Sequence, residues 1–202
     1  MGLDLKLFSI SSKVDFVLEK AKSNLFYAID FDKILDTKML ELNLKMVQRS
    51  PDGTPESVLE ELILDSRIVV DCFPNRNIEN YVFYSKTRSY GTLSFLLEKY
   101  LTDKNKLKTS EVFYLGIKIE NESQFVRFEY INPKEVNEIY NLLKFIEFDE
   151  LIKYYYSEEI QDNVYKLVHP DRFIFLKKEF DELKKFYKES KNLDAFVVIK
   201  IS

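Results

Sequence analysis

The chain has no tryptophan, one histidine, one cysteine, four glycines and five prolines among its 202 residues. Each shortage removes a class of chemistry. Cys72 has no second cysteine with which to close a disulfide inside the chain. With His169 as the single histidine, the three or four Cys and His ligands of a zinc site cannot be assembled. A Ser-His-Asp triad would have to use His169, and no Gly-x-Ser-x-Gly elbow occurs. The glycines stand at 2, 53, 91 and 116, too scattered for a phosphate-cradling loop. No metal and no cofactor is therefore expected. Nowhere do 18 apolar residues run together, so no membrane-spanning helix is expected. The opening Met1-Gly2-Leu3-Asp4-Leu5-Lys6 has no apolar run of signal-peptide length, and Lys6 stands where a myristoylation motif wants Ser or Thr. These features predict a cytoplasmic protein with no membrane partner.

An excess of either charge is also missing. Lys and Arg total 30 and Asp and Glu total 34, for a net charge of -4 and a pI near 5.3. Up to Leu101 there are 13 basic and 15 acidic residues, and beyond it 17 and 19. Both halves are mildly acidic, so the unbalanced basic face that nucleic acid requires is not expected.

What the chain does have is apolar mass. Hydrophobic residues make up 46% and aromatics 15%, all of the latter Phe and Tyr. A chain of this length buries roughly 70% of its unfolded surface and needs no disulfide or metal to hold it. Leu3 to Ile10 reads as a strand, followed by a helix capped by Ser11 or Ser12 and carrying Val14, Val17, Leu18 and Ala21. From Asp30 the spacing of Phe31, Ile34, Leu35 and Met39 suits a helix, while 40–47 fits helix and strand equally. Ser50-Pro51-Asp52-Gly53-Thr54 is a loop, and Thr54-Pro55 opens a helix through Ile63. Arg67 to Phe73 is predicted as a strand, with Cys72 on a face shared by Ile68 and Val70, and Tyr81 to Tyr84 as another. Leu93, Leu96, Leu97, Tyr100 and Leu101 form one helical stripe.

The second half is more regular. Phe113 to Ile119 and Val126 to Tyr130 alternate like the arms of a hairpin. Asn132-Pro133-Lys134-Glu135 is a helix start whose acid can reach back to the cap, and Val136, Ile139, Tyr140, Leu143 and Ile146 continue it. Short helices are expected to about Lys166, then a longer one with Leu176, Phe180, Leu183 and Tyr187. The last segment, Ala195 to Ile201, is apolar on both faces except Lys200, as in a strand inside a sheet. The pattern predicts an α+β fold: a mixed or antiparallel sheet packed with several helices in a single domain.

Several stretches resemble the YfbM-like family, bacterial proteins known mainly as a domain of unknown function. They are the opening Met1-Gly2-Leu3-Asp4-Leu5 with its strand ending at Ile10-Ser11, and Phe128-Glu129-Tyr130-Ile131-Asn132-Pro133-Lys134-Glu135-Val136. Phe148-Asp149-Glu150-Leu151 and Leu183-Lys184-Lys185-Phe186-Tyr187-Lys188 followed by Ala195 to Ile199 complete the set. The resemblance covers about 1–24 and 84–202, so the stretch around 24–83 reads as an insertion atypical of that family. It implies an α+β fold and no established activity.

The remaining candidates are few. His169-Pro170-Asp171 matches the tripeptide of J-domain cochaperones, but the segment before it holds Glu158, Glu159 and Asp162 instead of a basic helix. The resembling family places a Tyr-Pro pair at this point, so the tripeptide reads as a turn. A Cys72-His169 dyad is opposed by the apolar strand face predicted for Cys72. Asp30, Asp32 and Asp36 are the densest carboxylates, and Asp30 and Asp32 suit a helix start. Tyr154-Tyr155-Tyr156 cannot all face one core from a helix, so at least one is expected at the surface. The helix opening after Lys86 holds Tyr90 and Ser94 where the resembling family carries Trp and His. With Arg88 they form the candidate site for a small polar ligand.

Two functions follow. The first is a non-catalytic binding module that sequesters a protein partner, supported by the acidic balance and the excess of aromatics. The second is a small-molecule enzyme built on an Arg, Tyr and carboxylate pocket. The first is preferred, because no catalytic set is assembled in the sequence.

Overall fold

Strand β1, Leu5–Ser11, shows how this sheet is built, because its alternate side chains enter two different cores. Leu5 and Leu7 are buried on one face, and Phe8 and Ile10 on the other. The computed structural model describes residues 5–35, 41–42, 54–74, 82–85, 89–104, 116–119, 127–164 and 167–201. Strands β2 (Val82–Ser85), β3 (Ile117–Ile119), β4 (Arg127–Ile131) and β5 (Ala195–Ile201) complete a five-stranded sheet of order β2-β1-β5-β4-β3. Every neighbouring pair is antiparallel. β5 is the middle strand, as its apolar residues on both faces require. Val198 faces Phe8 and Tyr130 across the ladder, and Ile199 faces Leu7 and Glu129.

Helices cover both faces. The first layer lies on the side of Phe8, Ile10 and Val198. It holds α1 (Phe16–Ser23), α2 (Leu25–Ile29), a 3-10 turn at Phe31–Leu35, and α3 (Glu56–Asp71). The predicted stripe Val14, Val17, Leu18 and Ala21 is buried there, although Val14 belongs to a 3-10 turn capped by Ser11. The second layer holds α4 (Ser89–Asp103), α5 (Pro133–Leu143), α6 (Phe148–Ile152), α7 (Ile160–Asn163) and α8 (Phe173–Asn192). It packs on Leu5, Leu7, Val197 and Ile199. Leu176, Phe180, Leu183 and Tyr187 of α8 are all buried, each removal from water contributing about 1.5–3 kcal/mol.

Local chemistry sets the boundaries. Asn132 accepts the Glu135 amide at 3.0 Å, and the Glu135 side chain accepts the Asn132 amide at 3.2 Å, closing the predicted capping box on α5. Between α8 and β5 the chain reverses at Asp194, whose φ of 50° is one that short polar residues tolerate. Ser12 fixes that turn, donating its amide to the Asp194 carbonyl and its hydroxyl to the Asp194 carboxylate at 2.7 Å.

Three expectations are corrected. Arg67 to Phe73 is not a strand: α3 runs on to Asp71, with Val69 and Phe73 buried and Ile68 48% exposed. The run Ile68-Val69-Val70 favours strands locally, but helical spacing from Leu62 through Ser66, Val69 and Phe73 buries more apolar surface against the core. Pro55, not Thr54, stands at the cap of α3, and the Thr54 hydroxyl is donated to Asp30 at 3.1 Å instead. From Asp30 the first half is a 3-10 turn burying Phe31, Ile34 and Leu35. Residues 41–42 are helical, and the rest of 36–53, including Met39 and the Ser50 loop, lies outside the described residues. The arms of the predicted hairpin pair as expected, with Phe113, Leu115, Val126 and the connector outside the described residues.

Candidate functional site

Helix α4 sends Leu93, Leu96, Leu97, Tyr100 and Leu101 into the core, and this fixes where its neighbouring face must point. That face, Gly91, Ser94, Phe95 and Glu98, follows the same helical spacing and lines a cleft of about 260 Å³. The opposite wall is Glu159, the residue before α7, and Asn163 at its end. Lys99 closes the rim by an ion pair with Glu159 and lies 5.6 Å from the centre of the Phe95 ring. The Asn163 amide donates to the Glu159 carbonyl at 2.8 Å, holding this short helix together.

Two groups in the cleft are left over. Ser94 is only 6% exposed, and among the described residues its hydroxyl has no hydrogen-bond partner. Glu98 lines the same space with no ion-pair or hydrogen-bond partner among the described residues. The lining therefore carries two carboxylates against one ammonium, with a free hydroxyl and an aromatic wall.

The structure places the predicted ligand residues unequally. Ser94 lines the cleft, Tyr90 is half-buried against the core one turn earlier, and Arg88 lies outside the described residues. Glu98, Lys99 and Asn163 went unread in the sequence. Glu98 stands four residues after Ser94 and could have been found by extending that face along the helix. Its partnership with Glu159 and Asn163 joins residues more than sixty apart and leaves no local signal.

The three consecutive tyrosines diverge as helical geometry demands. Tyr155 is buried and donates its hydroxyl to the Val168 carbonyl at 2.8 Å. Tyr154 donates to Asp103 at 2.7 Å, and burial together with that carboxylate pushes its pKa up to about 12. Tyr100 donates to Glu150 at 3.2 Å, and burial raises it in the same direction. Tyr156 is 72% exposed. The Tyr155 ring stands 5.2 Å from that of Tyr156 and 4.7 Å from that of Phe173, tying Tyr156 to the start of α8. There Ile174 is 73% and Phe175 62% exposed.

His169-Pro170-Asp171 forms the turn that enters α8. Pro170–Arg172 is a 3-10 turn, the His169 carbonyl accepts the Arg172 amide at 2.9 Å, and the imidazole is 73% exposed in side-chain terms. Cys72 and His169 belong to helix layers on opposite faces of the sheet, so they form no dyad. Asp30 is engaged by Lys33 at 2.6 Å and by Thr54. Asp36 lies outside the described residues. Among the described residues no three of His, Cys, Asp and Glu group so as to hold a metal ion, and no helix is long and apolar enough to cross a membrane.

A family model for a domain of unknown function (DUF1877) matches residues 75–199, well over half of the chain. No curated protein and no solved structure matches it. Among the described residues the matched stretch holds β2, β3 and β4, β5 as far as Ile199, and the helices α4 to α8 of the layer that carries the cleft.

Proposed function

The chain belongs to the DUF1877 family of domains of unknown function, and from that premise we propose that it is a non-catalytic binding module whose partner is a protein. One observation carries this reading. Tyr156, Ile174 and Phe175 are mostly exposed, and the buried Tyr155 ring packs on both Tyr156 and Phe173, the residue that precedes the other two in α8. Large exposed apolar groups of this kind mark contact surfaces, and Tyr supplies area with a polar tip. Burial and neighbouring carboxylates hold the Tyr100 and Tyr154 phenols in their protonated form, which suits structural hydrogen bonds and not proton abstraction. The mildly acidic balance of charge supports a protein in preference to nucleic acid, and the single cysteine supports a cytoplasmic setting.

Within the family, the motifs around Ile10, Asn132 and Ala195 support a YfbM-like assignment. Residues 24–83 are then an addition that supplies most of the first helix layer.

The cleft favours a second reading, an enzyme acting on a small molecule, because Ser94 and Glu98 face it without partners. Retention of a protein by the immobilised domain, lost on Tyr156→Ser and Phe175→Ser, separates the two. Conversion of a small molecule that depends on Ser94 and Glu98, with no protein retained, would favour the enzyme.

A further inference from the structure

The cleft between α4 and α7 lies beside exposed Tyr156: Glu159 is three residues from it, a reach of at most about 11 Å. Its volume of about 260 Å³ lies below the roughly 300–1,000 Å³ of sites that enclose drug-sized ligands. A space of that size suits one side chain better than a whole drug-sized molecule. Its charge is unbalanced. Glu98 and Glu159 face Lys99 alone, and Lys99 is already engaged by Glu159. Glu98 is left as an uncompensated acceptor and Ser94 as an unpartnered hydroxyl, while Phe95, whose ring already carries the Lys99 ammonium at 5.6 Å, supplies an apolar wall. The adjoining acids reinforce this sign, since Glu158 and Asp162 are exposed in the same segment. An anion would meet Glu98, and a neutral apolar group would leave Glu98 and Ser94 desolvated without partners.

We propose that this cleft receives the ammonium or guanidinium group of a lysine or arginine side chain presented by the protein partner. Glu98 is its counter-charge, the Ser94 hydroxyl accepts one of its N–H groups, and Phe95 lines its stem. The proposal rests on the binding-module reading and adds the chemistry that the partner must present: a basic residue close to an apolar segment that covers Tyr156 and Phe175.

The test uses the full chain, with amide chemical shifts followed during titration. The probes are N-acetyl-lysine N-methylamide, its arginine counterpart, the neutral norleucine counterpart, and the free diamine putrescine. The expected result is a saturable shift of the amides of Ser94, Phe95, Glu98 and Asn163 with the lysine or arginine probe, and none with norleucine at equal concentration. Glu98→Gln should weaken the cationic probe at least about fivefold and Ser94→Ala about twofold, with unchanged spectra elsewhere showing that both variants fold. Three results would overturn the proposal: norleucine binding as well as lysine, Glu98→Gln binding as well as the parent, or no cationic probe moving these amides. Putrescine binding more tightly than the blocked amino acids would overturn the protein source of the cation. A partner held through Tyr156 and Phe175 but indifferent to Glu98→Gln would sink this inference while leaving the binding-module reading intact.

Discussion

The Tyr27 hydroxyl donates a 2.8 Å hydrogen bond to Oδ2 of Asp65, and the same oxygen accepts from the Lys20 ammonium at 2.8 Å. Asp65 is buried, and Lys20 is also held by Glu61 at 2.7 Å. Three elements, α1, α2 and α3, are thus joined through one carboxylate beneath the first helix layer. Removing that carboxylate leaves the Tyr27 hydroxyl buried without an acceptor. Lys20 is partly exposed and keeps Glu61, so the orphaned hydroxyl sets the cost: Asp65→Ala is expected to cost roughly 1–3 kcal/mol, and Tyr27→Phe about 1.5–3 kcal/mol, by urea denaturation. Two variants as stable as the parent would show that this bond contributes nothing to holding the layer.

Burial first, and Asp65 second, hold the Tyr27 phenol well above the usual tyrosine range, and burial does the same for Tyr187. The unfolded phenols ionise near pH 10 while the folded ones keep their protons. Their contribution is therefore intact below about pH 10 and is lost as pH rises toward the folded values, by up to about 1.4 kcal/mol per pH unit for each group. Titration followed by phenolate absorbance should show these two tyrosines ionising only with unfolding. Smooth ionisation of all 13 tyrosines in a still-folded protein would contradict this.

Helix α3 is tested by two adjacent residues. Val69 is fully buried and Ile68 points half into solvent, an order that a strand sharing its apolar face with Cys72 would reverse. Val69→Ala is expected to cost roughly 1–3 kcal/mol and Ile68→Ala within about 0.5 kcal/mol. The opposite ranking would restore the strand.

For the turn before α8, His169→Gln should change stability by no more than about 0.5 kcal/mol, because the imidazole is exposed and its Nδ1 meets only exposed Asp171, the amide at 3.4 Å and the carboxylate at 3.1 Å. Partner binding should be unaffected. A stable variant that loses binding, or loses stimulation of an Hsp70-type ATPase, would move the function into this tripeptide.

Much of the second half was legible in the sequence because its signals are local. The box of Asn132 and Glu135, the stripe from Val136 to Leu143 and the doubly apolar Ala195 to Ile201 each specify one element, and the structure has all three. The errors lie where local preference and burial disagree. β-branched Ile68, Val69 and Val70 favour extended backbone, yet tertiary burial of Val69 and Phe73 keeps α3 helical. The candidate site was half legible for the same reason. Ser94 is marked by its place on α4, whereas Glu159 and Asn163 reach it only through the packing of α7 against that helix. The Tyr27–Asp65 bond spans 38 residues and has no pattern in the sequence at all.

The most direct test of the binding-module reading is the affinity of the purified partner, once retained from native cells, for the parent and for the double variant Tyr156→Ser, Phe175→Ser. Both side chains are exposed, so the variant should unfold at the same urea concentration as the parent. The account predicts that titration calorimetry shows affinity weakened at least about tenfold, the loss expected when apolar anchors at the centre of an interface are truncated. An equally stable double variant that binds the partner as tightly as the parent would contradict it.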